Sequence, residues 1–377
     1  MSNGMRSGVI KNDELEISIF GPGYGEALAL HLGFGKWILV DSCLEPKSGE
    51  PAQLQYLESL GIDVSSAVKL IVATHWHDDH VQGMGSLVRE CKSAVVAVSA
   101  ALKSQHFSAL MNLYGEGVFP GSSGVTEFVN VFRILDERRT TGTRINVPKL
   151  ASPDKLLYKD TIRLNRKDYE VEIHSLSPSD SAIMSANLDF RQRIPNAGTQ
   201  KKRIICPSIN NTSVVLWVRV GTHRILLGSD LQKTSDPKTG WTVIVNESQA
   251  IKEKASVYKV AHHGAESSYD PDIWSKLLFD EPFALLSPYM VADNYLPGEE
   301  DIKRLVSLTP HGYITAPPSR KKYKASDRVV RDTVEAVTKS IQSVNIGWGQ
   351  IRLRRNIENS LDYQVELFGD AYNIVVN

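Results

Sequence analysis

The stretch Thr74–Gly85, which reads THWHDDHVQGMG, constrains this chain more than any other part of its sequence. The run Val68–Ala73 before it is short, apolar and rich in β-branched residues, and it predicts a buried strand. His75 and His77 can then point the same way, because side chains two apart on a strand share a face. The remaining charged or titratable side chains of the stretch are Asp78, Asp79 and His80, which are expected in the turn after the strand.

Imidazoles mixed with carboxylates form the ligand set of a metal ion. Such a set suits Zn²⁺, and it also suits Mn²⁺ or iron. The alternative is a solvated polar loop in which the histidines occur by chance. Three histidines and two aspartates within six residues are too dense for that alternative. The stretch therefore predicts a metal centre at the end of a strand.

The pattern H-x-H-x-D-H after an apolar strand resembles the motif of the metallo-β-lactamase superfamily. The motif matches His75, His77, Asp79 and His80 one for one. The resemblance implies that His75 and His77 hold one metal ion, and that Asp79 and His80 hold the other. It also implies an α/β protein with the four-layer αββα metallo-β-lactamase fold. The superfamily includes β-lactamases, thioesterases, nucleases and phosphodiesterases, so the motif narrows the fold far more than the substrate.

Three blocks in the second half of the sequence narrow the resemblance. They read NNTSVVL at 210–216, LLGSD at 226–230 and KVAHHGAESS at 259–268. In this order and spacing they resemble the soluble hydrolase domain of ComEC-type competence proteins, over roughly Leu15–Tyr289. That resemblance implies that Asp230 bridges two metals and that one histidine of the pair His262–His263 completes the second site. We expect His263 to be the ligand, and His262 to face the substrate as proton donor.

One position departs from the wider superfamily pattern. Many members carry another histidine before the strand pair that ends in Gly-x-Asp, and here Asn210 and Asn211 stand in its place. His174 and His223 are the nearest histidines and are expected to be structural. We expect two divalent ions, Zn²⁺ or Mn²⁺, with an Asn oxygen or water filling the gap. The number of tightly bound metals is left open.

The domain organisation follows from the positions of these blocks. Residues 1–290 are predicted to form the hydrolase domain, with 100–150 as an insertion after the metal loop, and 291–377 are predicted to form a C-terminal α/β extension that closes the fold. Asp41 ends a predicted strand, Trp37–Asp41, where it either orients a ligating histidine or serves as a turn or capping residue. Further on, Asn210–Val220 is predicted as a strand, Pro288–Gly298 as a loop and Arg328–Ile341 as a helix.

Composition bears on where the protein works. An apolar content of 42% and a charged content of 23% are typical of a soluble globular protein. No apolar run approaches the roughly 20 residues that span a bilayer, and residues 1–8 lack the apolar segment of a signal peptide. The three cysteines are far apart, which favours a reducing compartment. We therefore expect a cytoplasmic protein without a membrane partner, and a homodimer is left open.

Charge does not decide between a polymer and a small substrate. Basic and acidic residues both number 43, whereas a protein that coats itself with nucleic acid is usually more basic. Local basic tracts occur at Lys201–Arg203, Arg320–Lys324 and Arg352–Arg355. Each tract either guides phosphates or is a solvated loop or strand edge.

The predicted activity is metal-dependent hydrolysis of a phosphodiester in nucleic acid or a nucleotide, through a metal-activated water. Asp79 is predicted to hold metal and orient the water, and His262 to protonate the leaving group. The alternatives are hydrolysis of a lactam, lactone or thioester, and a non-enzymatic sensor that retains the fold. The intact set of ligand residues disfavours the sensor.

Overall fold

Two eight-stranded β-sheets pack face to face at the centre of the molecule. The computed structural model describes residues 8–22, 25–114, 123–140, 147–194, 209–291, 294–318, 347–358 and 363–375. The first sheet runs, across its strands, β17 (Gln364–Gly369), β16 (Trp348–Asn356), β1 (Glu14–Pro22), β2 (Ala27–His31), β3 (Trp37–Asp41), β4 (Val68–Ala73), β5 (Val95–Ser99) and β6 (Lys149–Ala151). The second runs β18 (Tyr372–Asn373), β15 (Gly312–Ile314), β12 (Leu278–Leu286), β11 (Ala255–Lys259), β10 (His223–Leu227), β9 (Leu216–Val220), β8 (Lys167–Ser175) and β7 (Lys155–Leu164).

Helices cover the outer face of each sheet. In chain order they are α1 (Ala52–Ser59), α2 (Val64–Ala67), α3 (Asp78–Val81), α4 (Met84–Glu90), α5 (Gln105–Tyr114), α6 (Ser123–Thr140), α7 (Asp180–Arg193), α8 (Gly240–Glu247) and α9 (Glu299–Leu308). Short helical turns lie at Ala100–Lys103, Asn210–Thr212, Ala261–Gly264, Glu266–Ser268 and Ile273–Leu277. A small hairpin joins β13 (Tyr289–Val291) to β14 (Asn294–Leu296). Among the described residues, no helix combines the length and apolar character needed to cross a bilayer.

Alternating side chains build three apolar layers from the two sheets. In β10, Ile225 and Leu227 face the first sheet, while Leu226 faces the helices on the other side. In β3, Ile38 and Leu39 divide in the same way between the inter-sheet layer and the outer helical layer. This two-residue period is the one that a strand imposes. The predicted four-layer αββα architecture is therefore confirmed.

Parallel strands bring their carboxyl ends to one edge of the sandwich. Strands β3, β4, β5 and β6 are parallel in the first sheet, and β10, β11, β12 and β15 are parallel in the second. The two edges are tied together where Val214 N–H donates to Thr74 O at 3.1 Å. Open α/β sheets bind their ligands at such carboxyl ends. The loops that follow β3, β4, β10 and β11 all meet here.

The predicted insertion supports the metal loop from outside. Gly124 N–H in α6 donates to Asp78 Oδ1 at 2.9 Å, and Gly85 N–H donates to Glu127 Oε2 at 3.0 Å. A Cβ at Gly124 would lie 2.0 Å from Trp76 O, so α6 can approach this closely only with glycine there. The C-terminal segment adds β16 alongside β1 and β15 alongside β12. The division into domains stays a prediction.

Two predicted elements differ from the observed ones. Asn210–Val220 is not a single strand: Asn210–Thr212 forms a helical turn, and β9 begins only at Leu216. The predicted loop Pro288–Gly298 contains the β13–β14 hairpin. The predicted helix Arg328–Ile341 lies outside the described residues.

Candidate metal centre

The predicted ligand side chains come from both sheets and converge between their carboxyl ends. His75, His77, Asp79 and His80 follow β4, Asp230 follows β10, and His263 follows β11. Two groups have ligand atoms within 4.8 Å of one another: Asp79, His80, Asp230 and His263 form the first, and His75, His77 and Asp230 form the second. Asp230 belongs to both groups.

The first group has the spacing of side chains arranged around a cation. Asp230 Oδ1 lies 3.4 Å from His80 Nε2, and Asp230 Oδ2 lies 3.5 Å from His263 Nε2. Asp79 Oδ2 lies 3.4 Å from His263 Nε2. Asp230 Oδ1 and the Nε2 atoms of both histidines are buried, and none has a hydrogen-bond partner among the described residues. Buried polar atoms are otherwise almost always satisfied, so this donor set fits a divalent metal ion.

The second group holds two imidazoles and one carboxylate. His75 Nε2 lies 3.2 Å from His77 Nδ1, so two ring nitrogens face one another at the start of the loop. Burial lowers the pKa of His75 well below its usual value. The ring is therefore neutral, which is the form that binds metals. Asp230 is the third member of this group, and Asn210 Nδ2 instead lies 3.1 Å from His262 Nε2.

Hydrogen bonds from the other ring nitrogens fix the orientation of the histidines. His80 Nδ1 lies 2.7 Å from Asp41 Oδ2, and Thr74 donates to the same carboxylate through both its N–H and its hydroxyl. His263 Nδ1 lies 2.9 Å from Ser287 O. With Nδ1 as donor, each ring leaves the Nε2 lone pair for the centre. Asp41 thus makes the hydrogen bond that is expected of a residue orienting a ligating histidine, which was one of the two roles predicted for it from the sequence.

The carboxylates make the centre strongly negative. Burial alone would lower the pKa of His263, but Asp230, Asp79 and Glu26 raise it to about 10. Burial would also lower the pKa of His80, but the neighbouring carboxylates, Asp230 above all, raise it well above its usual value. The pKa of Asp230 is held well below its usual range by His80 and His263, against the effect of burial. A potential that attracts protons this strongly also attracts a metal ion.

His262 belongs to neither ligand group of the described residues. Its Nδ1 lies 2.9 Å from Ser267 Oγ and 3.2 Å from Gln232 Nε2. Both His262 and His263 have positive φ angles, 48° and 55°, and the planes of their two rings lie 50° apart. Burial lowers the pKa of His262. The ring is therefore held by hydrogen bonds at the edge of the centre, and His263 alone of the pair reaches it.

A buried ion pair below the centre was not found by sequence reasoning. Glu26, immediately before β2, and Lys259, at the end of β11, are 0% and 1% exposed and form an ion pair through Oε1 and Nζ. Glu26 also forms a third cluster of possible ligands with Asp41 and His80. The sequence feature that could have pointed to Lys259 is a charged residue at the end of a mostly apolar strand. An isolated Glu26 gave no such signal.

Other predicted features lie away from the centre. Asp78 binds α6 through Gly124, as described above. His223, expected to be structural, begins β10, where its Nε2 lies 3.1 Å from Ile357 O. Arg352 and Arg354 are buried and ion-paired with Glu366 and Glu16, so these two residues are neither part of a phosphate groove nor of a solvated edge. The tracts Lys201–Arg203 and Arg320–Lys324 lie outside the described residues.

The chain is similar to known proteins through one family model and through distantly related solved structures. Residues 22–189 match the family model described as the metallo-beta-lactamase superfamily. No curated protein matches the chain. The chain is similar to MEM-A1, a subclass B3 metallo-beta-lactamase from a soil metagenome library (13% identity over 68% of this chain and 80% of that chain, TM-score 0.33). It is also similar to the metallo-beta-lactamase fold protein YhfI from Bacillus subtilis (13% identity, 65% and 70%, TM-score 0.32) and to a metallo-beta-lactamase of Cronobacter sakazakii (12% identity, 66% and 78%, TM-score 0.31).

The family match, the two helix-flanked sheets and the clustered histidines and aspartates agree on one class. The chain has two helix-flanked sheets consistent with the metallo-beta-lactamase fold and candidate metal-binding clusters, and its residues 22–189 match the model of that superfamily. The structural similarities are too distant to say anything about the substrate. The ComEC-type branch stays a prediction.

Proposed function

We propose that this protein is a metal-dependent phosphodiesterase of the ComEC-type branch that hydrolyses a phosphodiester in nucleic acid or a nucleotide. The observation that carries the proposal is the position of Asp230, whose carboxylate belongs to both ligand groups. A carboxylate shared in this way would hold two cations side by side. Paired cations are the arrangement by which nucleases and phosphatases stabilise both the attacking and the leaving oxygen of an in-line displacement.

The residues present fit two divalent ions of the Zn²⁺ or Mn²⁺ type. His75, His77 and Asp230 would hold one, and Asp79, His80, Asp230 and His263 would hold the other. When bound, the ions would supply an activated water and positive charge for the phosphate oxygens. The mixed imidazole and carboxylate donors do not choose between Zn²⁺ and Mn²⁺.

The protein's own groups would orient the reactants. Asp79 is partly accessible, with a side chain 17% exposed, so its carboxylate can hold the attacking water by a hydrogen bond. His262 lies at the edge of the centre, where its ring can donate a hydrogen bond to the leaving oxygen and pass it a proton. Asn210 beside it is a second polar group that can contact the phosphate.

The test is a substrate panel on protein whose metal content has been measured. Single- and double-stranded DNA, RNA, cyclic nucleotides and an aryl phosphodiester are offered with Mn²⁺ or Zn²⁺, beside a chromogenic lactam and a thioester. We expect cleavage within the phosphodiester set, lost in Asp230→Asn. His223→Asn is the matched control, because that buried imidazole lies in β10, the strand that precedes Asp230, and contacts Ile357 O away from the centre. Turnover of the lactam or thioester alone would replace this proposal, and no turnover by metal-loaded protein would favour a sensor.

A further inference from the structure

The two ligand-bearing loops are connected beneath the metal centre by one line of contacts. Glu26 N–H donates to Asp79 O at 2.9 Å, and the Glu26 carboxylate is ion-paired with Lys259 Nζ. Lys259 Nζ in turn donates to Ser229 O at 3.1 Å, the carbonyl just before Asp230. The line therefore runs from a ligand of the first sheet to the shared ligand of the second.

The local backbone is built to allow this approach. Gly25 has a φ of +153°, and a Cβ there would lie 1.9 Å from Asp79 O. Only glycine can therefore bring β2 against the metal loop, which places Glu26 between the sheets. Ser229 has a positive φ of 45°, which turns its carbonyl toward Lys259.

The charge of Lys259 is fixed by its surroundings. Its ammonium is ion-paired with the Glu26 carboxylate and donates a hydrogen bond to Ser229 O at 3.1 Å. The ammonium lies 3.9 Å from Asp230 Oδ1 and lines one small cavity together with the buried carboxylates of Glu26 and Asp41. The ammonium thus stands where a third cation would otherwise be needed.

A third metal ion is the competing interpretation of Glu26, Asp41 and His80, and the geometry opposes it. His80 Nδ1 donates to Asp41 at 2.7 Å, so that nitrogen has no lone pair for a metal. The Glu26 carboxylate is already neutralised by Lys259. The small cavity between the sheets here is lined by Glu26 and Lys259 themselves.

We infer that the Glu26–Lys259 ion pair is a positioning element of the metal centre, which sets the distance between the ligands of the first sheet and Asp230 of the second. This inference rests on the metal centre of the proposed function, but not on its phosphodiester substrate. A pair that merely stabilised the fold would be replaceable by uncharged side chains of similar size. A positioning pair would not be, because Glu26, whose backbone N–H stays bonded to Asp79 O, would lose its connection through Lys259 to Ser229 O.

The experiment compares metal binding with stability in three variants. Lys259→Met breaks the pair and strands a buried carboxylate, Glu26→Gln/Lys259→Met removes both charges, and Glu26→Gln keeps an acceptor oxygen for Lys259. The control is Lys36→Met, since Lys36 pairs with Asp160 between the same two sheets at the opposite end of β3 from Asp41. Zn²⁺ affinity is measured by chelator competition, coordination geometry by the absorption spectrum of the Co²⁺ form, and stability by thermal unfolding.

We expect the double variant to recover most of the stability lost in Lys259→Met. Its Zn²⁺ affinity should nevertheless stay about 10- to 100-fold weaker than that of the wild type, the loss typical of residues that orient metal ligands, and its Co²⁺ spectrum should stay altered. Glu26→Gln should lose affinity to a smaller degree, and Lys36→Met should bind Zn²⁺ like the wild type. If the double variant has the Zn²⁺ affinity and the Co²⁺ spectrum of the wild type, this inference is wrong while the proposed function stands. Should the double variant not fold, the same result in Glu26→Gln overturns the inference. A wild-type protein that binds no divalent metal overturns both this inference and the proposed function.

Discussion

The carboxylate of Asp41 accepts a hydrogen bond from His80 Nδ1 at 2.7 Å, in a position where both side chains are fully buried. We expect Asp41→Ala to weaken metal binding by about 10- to 100-fold, because the ring of His80 loses the partner that fixes its orientation and tautomer. Chelator competition on the purified variant measures the effect. Asp63→Ala is the control, since Asp63 caps the exposed helix α2. Equal affinities in the two variants would mean that Asp41 does not act through His80.

Adjacent aspartates in the metal loop should behave differently. Asp79→Asn should abolish activity and lower the metal content, because one oxygen ligand becomes a weakly binding amide. Asp78→Asn should retain both, because an amide oxygen can still accept the hydrogen bond from Gly124 N–H. Elemental analysis and rate measurements on both variants decide this. A full metal complement in Asp79→Asn would move the site elsewhere in the chain.

The role of His262 can be separated from metal binding by the leaving group. His262→Ala should keep its metal but lose about 10²- to 10⁴-fold in rate on a phosphodiester with a poor alkoxide leaving group. The loss on an activated aryl phosphodiester should be smaller, since that leaving group needs no proton. Metal content and rates on the two substrates give the answer. Equal losses on both would show that His262 only positions the phosphate.

Removing the metal should destabilise the fold. A ligand that binds the native state alone adds about 2.7 kcal/mol of stability at a concentration 100 times its Kd, and chelation withdraws that stabilisation. It also leaves the carboxylates of Asp79 and Asp230 facing each other without a cation between them. We expect EDTA to lower the melting temperature of the wild type and to leave that of Asp79→Asn nearly unchanged. A wild type that is insensitive to EDTA would argue against a bound metal.

The basic tract Lys201–Arg203 separates a polymer from a small nucleotide. If the tract binds a single strand, replacing Lys201, Lys202 and Arg203 with Ala should flatten the slope of log affinity against log salt by about 0.7 per lost phosphate contact. The measurement is a salt titration on an oligonucleotide with Ca²⁺ in place of the catalytic metal. An equal charge change in Arg163, Arg166 and Lys167, in the β7–β8 hairpin, is the control. An unchanged slope in the first triple variant would favour the small nucleotide.

The sequence was most informative where one local signal decided the structure. The apolar run Trp37–Asp41 is a strand with those same ends, since a buried strand needs little besides apolar side chains. The histidines of the metal loop could be assigned to one site from the sequence, because residues so close along the chain are also close together in the structure. Glu26 could be assigned to the candidate site only from the three-dimensional structure, because its partner Lys259 lies in the other sheet.

Two elements show why local signals fail elsewhere. Helix α8, Gly240–Glu247, carries Thr242, Val243 and Val245, which are poor helix formers, and burial of Trp241 and Ile244 against the second sheet outweighs that preference. Asn210–Thr212 turns before β9 because Val214 is drawn toward Thr74 of the other sheet. Both outcomes depend on contacts that the sequence does not display.

The pairing of β1 with β16 has a consequence for how the chain acquires its structure. Glu14 lies opposite Asn356, and Pro22 lies opposite Trp348. During synthesis β1 therefore cannot pair with β16 until more than three hundred further residues have been added. Until then β1 has an open edge of unpaired backbone groups, which invites pairing with other chains. Contacts so distant in sequence also slow folding. A ribosome-bound chain halted before Trp348 should therefore depend on chaperones to a degree that the completed protein does not.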